Sequence, residues 1–86
     1  MDDPTITEEI LEDWDFSKEF MLVGLRIAYF RKQKKWTQEQ LAVKLGMQTS
    51  TIGAIEAPNM NKRISLNTLF KIAKVLEIPP HKLLEF

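Results

Sequence analysis

Five carboxylates, Glu8, Glu9, Glu12, Asp13 and Asp15, fall within residues 8–15. Closely spaced acids are the raw material of general acid–base catalysis, where one carboxyl stays protonated beside an ionised neighbour. Here they are interleaved with Ile10, Leu11 and Trp14, which together with Ile6 recur at helical spacing. That pattern describes the solvated face of an amphipathic helix. His81 is the only histidine, stands beside Pro79-Pro80 and has no second ligand at metal-binding spacing; it reads as a solvent-exposed side chain. The chain has no cysteine, which removes thiol nucleophiles, zinc fingers and disulfide frameworks and suits a reducing cytosol. Neither a Gly-rich phosphate loop nor a nucleophile–base set occurs. The expectation is therefore no catalytic residue, no metal and no cofactor: the chain is not read as an enzyme.

The second chemistry on offer is charge. Arg31, Lys32, Lys34 and Lys35 crowd five positions, and Lys62-Arg63 follow in a later loop. The formal net charge is zero, but it is partitioned: residues 1–20 carry −7 and residues 21–86 carry +7. A basic body behind an acidic extension is a statement about partners. The body has the balance of a nucleic-acid binder, and the extension offsets it.

The elements that would position these groups are helices. At 86 residues, 44% hydrophobic and 28% charged, the chain suffices for one small domain with an ordinary apolar core. No period-two alternation persists. The longest apolar run, Phe20 to Leu25, is broken by Gly24 and is too short to span a bilayer; Asp2 and Asp3 do not open a signal peptide.

Thr5 and Glu8 fit a capping box for a short acidic helix over Thr5–Asp15. Ser17 is expected to cap the next helix, with Val23, Ile27 and Phe30 inward and the basic run at its C-terminal end, where cations favour the helix dipole. Thr37 and Gln40 form a second capping box opening a helix over Gln38–Leu45, which Gly46 closes. A further helix runs over Thr49–Glu56, because Pro58 disfavours helical geometry at Ala57. Ser65 caps a helix over Leu66–Leu76 with an inner stripe of Leu66, Leu69, Phe70, Ala73 and Leu76. Pro79-Pro80 starts a last turn carrying Leu83, Leu84 and Phe86.

The central pair carries the strongest signal. In Trp36-Thr37-Gln38-Glu39-Gln40-Leu41-Ala42-Val43-Lys44-Leu45-Gly46, positions 41, 42 and 45 face inward. Met47, Ile52 and Ile55 bury the second helix against the first, with Phe30 and Leu69 as support. Two short helices crossing through a glycine turn form a helix-turn-helix unit. With Leu25-Arg26-Ile27, Phe30-Arg31-Lys32, Thr51-Ile52, Ile55-Glu56, Ser65-Leu66-Asn67-Thr68-Leu69, Lys71-Ile72-Ala73 and Leu76, the string resembles the Cro/lambda-repressor-like (XRE-type) helix-turn-helix family over residues 21–86.

The resemblance implies an all-α, compact five-helix lambda-repressor-like DNA-binding domain over residues 21–86, behind an acidic extension over residues 1–20 with one extra short helix. It implies base contacts from Gln48, Thr49, Ser50, Gly53 and Ala54 in the major groove. Phosphate contacts would come from Gln38 at the first motif helix, from Lys62 and Arg63 in the following loop, and from Lys34 and Lys35. Arg31 and Glu56 look like the family's partly buried ion pair. The loop Ala57–Ile64 departs from the family pattern by about two extra residues and by Ala-Pro where Asn-Gly is usual. Lys35 and Glu77 stand where glycine is frequent, which predicts left-handed backbone at both.

The function implied is that of a small cytoplasmic regulator binding double-stranded DNA as a homodimer, sealed by groups such as Leu83 and Phe86. The rival is a protein-interaction module, such as an antitoxin or accessory factor, whose acidic N-terminal helix grips a protein partner. The extension has three physically reasonable uses: completing the core on Leu22, Leu25 and Tyr29, extending a dimer interface, or competing with DNA for the basic surface.

Overall fold

The protein is described here from a computed structural model, which covers residues 15–59 and 62–86. The predicted helix over Thr5–Asp15 lies outside the described residues, except for Asp15 itself. Four α-helices follow: α1 (Ser17–Gln33), α2 (Gln38–Leu45), α3 (Thr49–Glu56) and α4 (Leu66–Leu76), then a 3₁₀ turn over Pro80–Leu84. No strand occurs among the described residues. Among the described residues the five-helix expectation is corrected to four α-helices and that turn. Pro79 and Pro80 lack N–H groups, and the Lys82 N–H bonds back to the Pro79 carbonyl at 3.0 Å, the i→i+3 closure of a 3₁₀ helix.

Local signals explain most boundaries. The Thr37 hydroxyl accepts from the Gln40 N–H at 3.0 Å, while the Gln40 side-chain carbonyl accepts from the Thr37 N–H at 2.8 Å, completing the capping box. Gly46 closes α2 in the left-handed region at φ 68°, and Ser65 caps α4 by accepting from the Thr68 N–H. Lys35 and Glu77 take φ 61° and 60°, left-handed as expected. One cap differs. Ser17 is the first residue of α1 rather than its cap, and the Asp15 carboxylate accepts its N–H at 2.9 Å. An ionised acceptor at a helix N-terminus is the stronger partner.

The core gathers Val23 and Ile27 of α1, Leu41, Ala42 and Leu45 of α2, Ile52 and Ile55 of α3, Leu69, Ile72, Ala73 and Leu76 of α4, and Leu83 of the final turn. Phe30, Trp36 and Met47 pack against it partly buried. Fully burying one such aliphatic side chain is worth about 1.5–3 kcal/mol. Three expectations are corrected. Leu66 and Phe70 are not inner-stripe residues; they stay 65% and 51% exposed. At a helical advance of roughly 100° per residue they flank the face built by Leu69, Ile72, Ala73 and Leu76. Conversely Leu83, expected at a dimer surface, is wholly buried, because the 3₁₀ turn aims it inward.

Gly24 governs how α1 meets α3. A Cβ built there would lie 2.0 Å from the Ile55 carbonyl oxygen and 3.1 Å from its carbon. The two backbones approach at a distance only a glycine permits.

Candidate nucleic-acid interface

The α2–α3 corner is held by a buried polar network. Arg31 and Glu56 are each 7% exposed. The Arg31 guanidinium donates through Nε to Glu56 Oε2 at 2.8 Å and through Nη2 to Glu56 Oε1 at 2.9 Å, a planar two-pronged pairing. Its Nη1 donates to the Trp36 carbonyl at 2.6 Å. Glu56 Oε1 also accepts from the Gln38 amide Nε2 at 3.0 Å. Four pieces of chain are thereby tied together: α1, the α1–α2 turn, the start of α2 and the end of α3. No buried side-chain polar atom among the described residues lacks a partner. A buried charge pair survives desolvation only when its remaining lone pairs and protons are satisfied in this way.

The other end of α3 is presented to solvent. Gln48 is its N-cap residue and makes no side-chain capping bond, while its carbonyl accepts from the Thr51 and Ile52 N–H groups. Gln48, Thr49 and Ser50 are exposed, and Gly53 and Ala54 half-buried. The first-turn N–H groups of a helix have no partner within the helix, so this end favours acceptors and negative charge. Gly53 is partly covered: a Cβ there would sit 3.5 Å from Oε1 of Gln38, whose side chain lies across it. Gln38 is thus committed to Glu56 by one N–H, leaving its second N–H and its carbonyl for further bonds.

The candidate phosphate residues do not form one set. Lys34 is an ion-pair partner of Glu77 and lies 5.7 Å from the Trp36 ring centre. That hydrogen bond and charge hold the Glu77 carboxyl below its ordinary pKa. Lys35 and Lys62 are exposed. Arg63 places a guanidinium nitrogen 3.9 Å from the Asp15 carboxylate and its plane 5.0 Å from the Phe20 ring centre. Asp15 is held below the usual aspartate range first by the backbone and side chain of Ser17 and then by the charge of Arg63.

Three features escaped the sequence reading. Gly24 was visible there only as an interruption of an apolar run, since a close approach between helices leaves no local pattern. The Lys34–Glu77 pair joins residues 43 positions apart. Lys44, at 4.6 Å, lies over the Trp36 ring, so that indole is flanked by two ammonium groups. Among the described residues no helix is long and apolar enough to cross a membrane.

A family model described as "Helix-turn-helix" matches residues 27–83. The chain is 34% identical over 64 residues to the HTH-type transcriptional regulator SinR of Bacillus subtilis, covering 74% of this chain and 57% of SinR. It is 44% identical over 48 residues to the antitoxin HipB of Escherichia coli, covering 56% of this chain and 49% of HipB. The chain thus spans about half the length of these curated relatives. Among solved structures, the restriction-modification controller protein C.AhdI of Aeromonas hydrophila superposes with a TM-score of 0.74 at 30% identity, covering 81% of this chain and 99% of C.AhdI. SinR in complex with DNA gives 0.67 at 35% identity, covering 73% of this chain and 98% of that one. The matched region contains the whole α2–α3 corner, its Arg31–Glu56 clasp and α4, and this chain belongs to the Cro/lambda-repressor-like, XRE-type helix-turn-helix family.

Proposed function

We propose that the chain binds double-stranded DNA as a small, cytoplasmic transcriptional regulator, with α3 in the major groove. One observation carries this reading: α3 is fixed at its C-terminal end by the Arg31–Glu56–Gln38 network and bare at its N-terminal end. In that arrangement Gln48, Thr49, Ser50 and Ala54 supply base contacts, with Gly53 allowing close approach. The amide of Gln48 can pair with adenine, and the methyls of Thr49 and Ala54 can meet thymine methyls. No Arg stands on this face, so the reading relies less on guanine and more on DNA shape. Lys62, Arg63, Lys35 and the remaining donors of Gln38 bond phosphates; Lys34 contributes only when it leaves Glu77. The relatives named as regulators, and SinR solved with DNA, support this assignment.

A homodimer is part of the proposal. Leu66, Phe70, Leu84 and Phe86 are exposed, and all but Phe70 line, with Phe20 and Ile64, an apolar groove of about 280 Å³. A second copy covering this patch would pair two recognition helices, and half-sites about 34 Å apart would then be read together. Selection from a random duplex pool with the full chain is the test: an enriched palindrome is expected, and salt-sensitive binding without enrichment contradicts sequence-specific regulation.

The match to HipB favours one second reading, an antitoxin-like module whose acidic extension holds a protein partner. In that case the duplex pool yields no enrichment, and neutralising the extension's acids abolishes partner capture.

A further inference from the structure

We infer that the acidic N-terminal segment is an intramolecular competitor for the phosphate-binding loop, with Arg63 as its docking point. The inference rests on the DNA-binding reading above and adds a regulatory contact to it. Residues 1–15 hold seven carboxylates and no Lys or Arg. Where this segment joins α1, its last carboxylate, Asp15, lies 3.9 Å from the Arg63 guanidinium, which also rests on the Phe20 ring. The other six acids, Asp2, Asp3, Glu8, Glu9, Glu12 and Asp13, are therefore tethered at the edge of the loop that contains Lys62 and Arg63.

Reach does not limit the contact. Fourteen residues can span at most roughly 50 Å when fully extended. A short tether holds its charges at millimolar effective concentration. DNA must displace these carboxylates to lay its phosphates on the same cations. Each protein–phosphate contact changes affinity as roughly the 0.9 power of salt concentration. Two such contacts, at Lys62 and Arg63, correspond to a roughly tenfold change between 50 and 200 mM salt. Because salt weakens the competitor as well, the full chain has a shallower salt dependence than a chain without the charges.

The test keeps the whole chain and changes only charge: Asp2, Asp3 and Asp13→Asn with Glu8, Glu9 and Glu12→Gln. Duplex affinity at 50 mM salt should rise by about tenfold, the salt slope should steepen, and the two curves should converge at high salt. In an Arg63→Gln background the gain should be smaller; an equal gain would mean general repulsion of DNA and would overturn docking at Arg63. A second readout needs no DNA: the Arg63 Nε–Hε NMR resonance should move on neutralisation and, in the native chain, with added salt. A resonance indifferent to both overturns the proposal. If that resonance moves while no duplex binds either protein, the contact stands and the DNA-binding reading falls.

Discussion

The two ends of α3 are built on opposite terms. At its C-terminal end Ile55 presses its carbonyl against Gly24 and Glu56 is clasped by Arg31 and Gln38. At its N-terminal end Gln48, Thr49 and Ser50 meet solvent, and Gln48 does not cap the helix. Gln48 and the eight residues of α3 thus combine a fixed root with a tip that faces solvent. The contrast shows where the domain's stability resides and where its selectivity is expected. Changes at the root should unfold the corner, whereas changes at the tip should leave folding intact and alter what is bound.

The largest effect is expected from Glu56→Ala, which strands a buried guanidinium. Loss of one partner of such a pair costs about 3–5 kcal/mol, readable by urea denaturation. A cost under about 1 kcal/mol would place the pair with ordinary surface salt bridges and dissolve the contrast. Gly24→Ala comes next, because a Cβ 2.0 Å from a backbone oxygen forces α1 and α3 apart; about 3 kcal/mol is expected, the upper range for overpacking. A well-tolerated alanine would mean that the helix crossing is loose.

At the tip and the loop, unfolding free energies should hold steady. Lys62→Ala should weaken binding evenly across sequences and lower the salt slope by about one; Arg63→Ala should also weaken it evenly, with a smaller change in slope, because the same side chain holds the competing carboxylates. A sequence-dependent loss at either residue would transfer base reading to the loop.

The smallest expected effect belongs to Glu77. Its carboxyl is held below its ordinary pKa by Lys34, and it is fully exposed. A depressed folded-state pKa stabilises above the unfolded value and loses that contribution as pH falls through the folded one. Urea midpoints for the native chain should therefore drop slightly more than those of Glu77→Gln when the pH is lowered across the carboxylate range. Parallel curves would show that the pair contributes nothing to stability, the usual result for exposed ion pairs.

Much of this architecture was legible in the residues, for local reasons. The Thr37–Gln40 box, Gly46, Pro58 and Ser65 are signals read within a few positions of the boundaries they set. The Arg31–Glu56 clasp was legible through family resemblance, because its members are 25 positions apart. What was missed depends on tertiary placement. Phe70 looks like core by spacing yet flanks the face that Ile72 helps to build. Leu83 looks like surface near a chain end, yet a 3₁₀ turn rotates it inward. Lys34 sits within a basic run, but its partner Glu77 comes from the far end of α4. The candidate site divides likewise: its exposed tip follows from helix register, whereas the covering of Gly53 by Gln38 and the pairing of Arg63 with Asp15 needed three dimensions.

The central claim is that the bare tip of α3 reads sequence while its root only holds it in place. The most direct test is selection from a random duplex pool with the native chain and with Gln48→Ala, followed by affinity measurements on the enriched site and its single-base variants. The claim predicts that Gln48→Ala keeps native stability and loses about 1–3 kcal/mol of discrimination at one base pair of each half-site. An unchanged base preference at every position in the Gln48→Ala protein would contradict it.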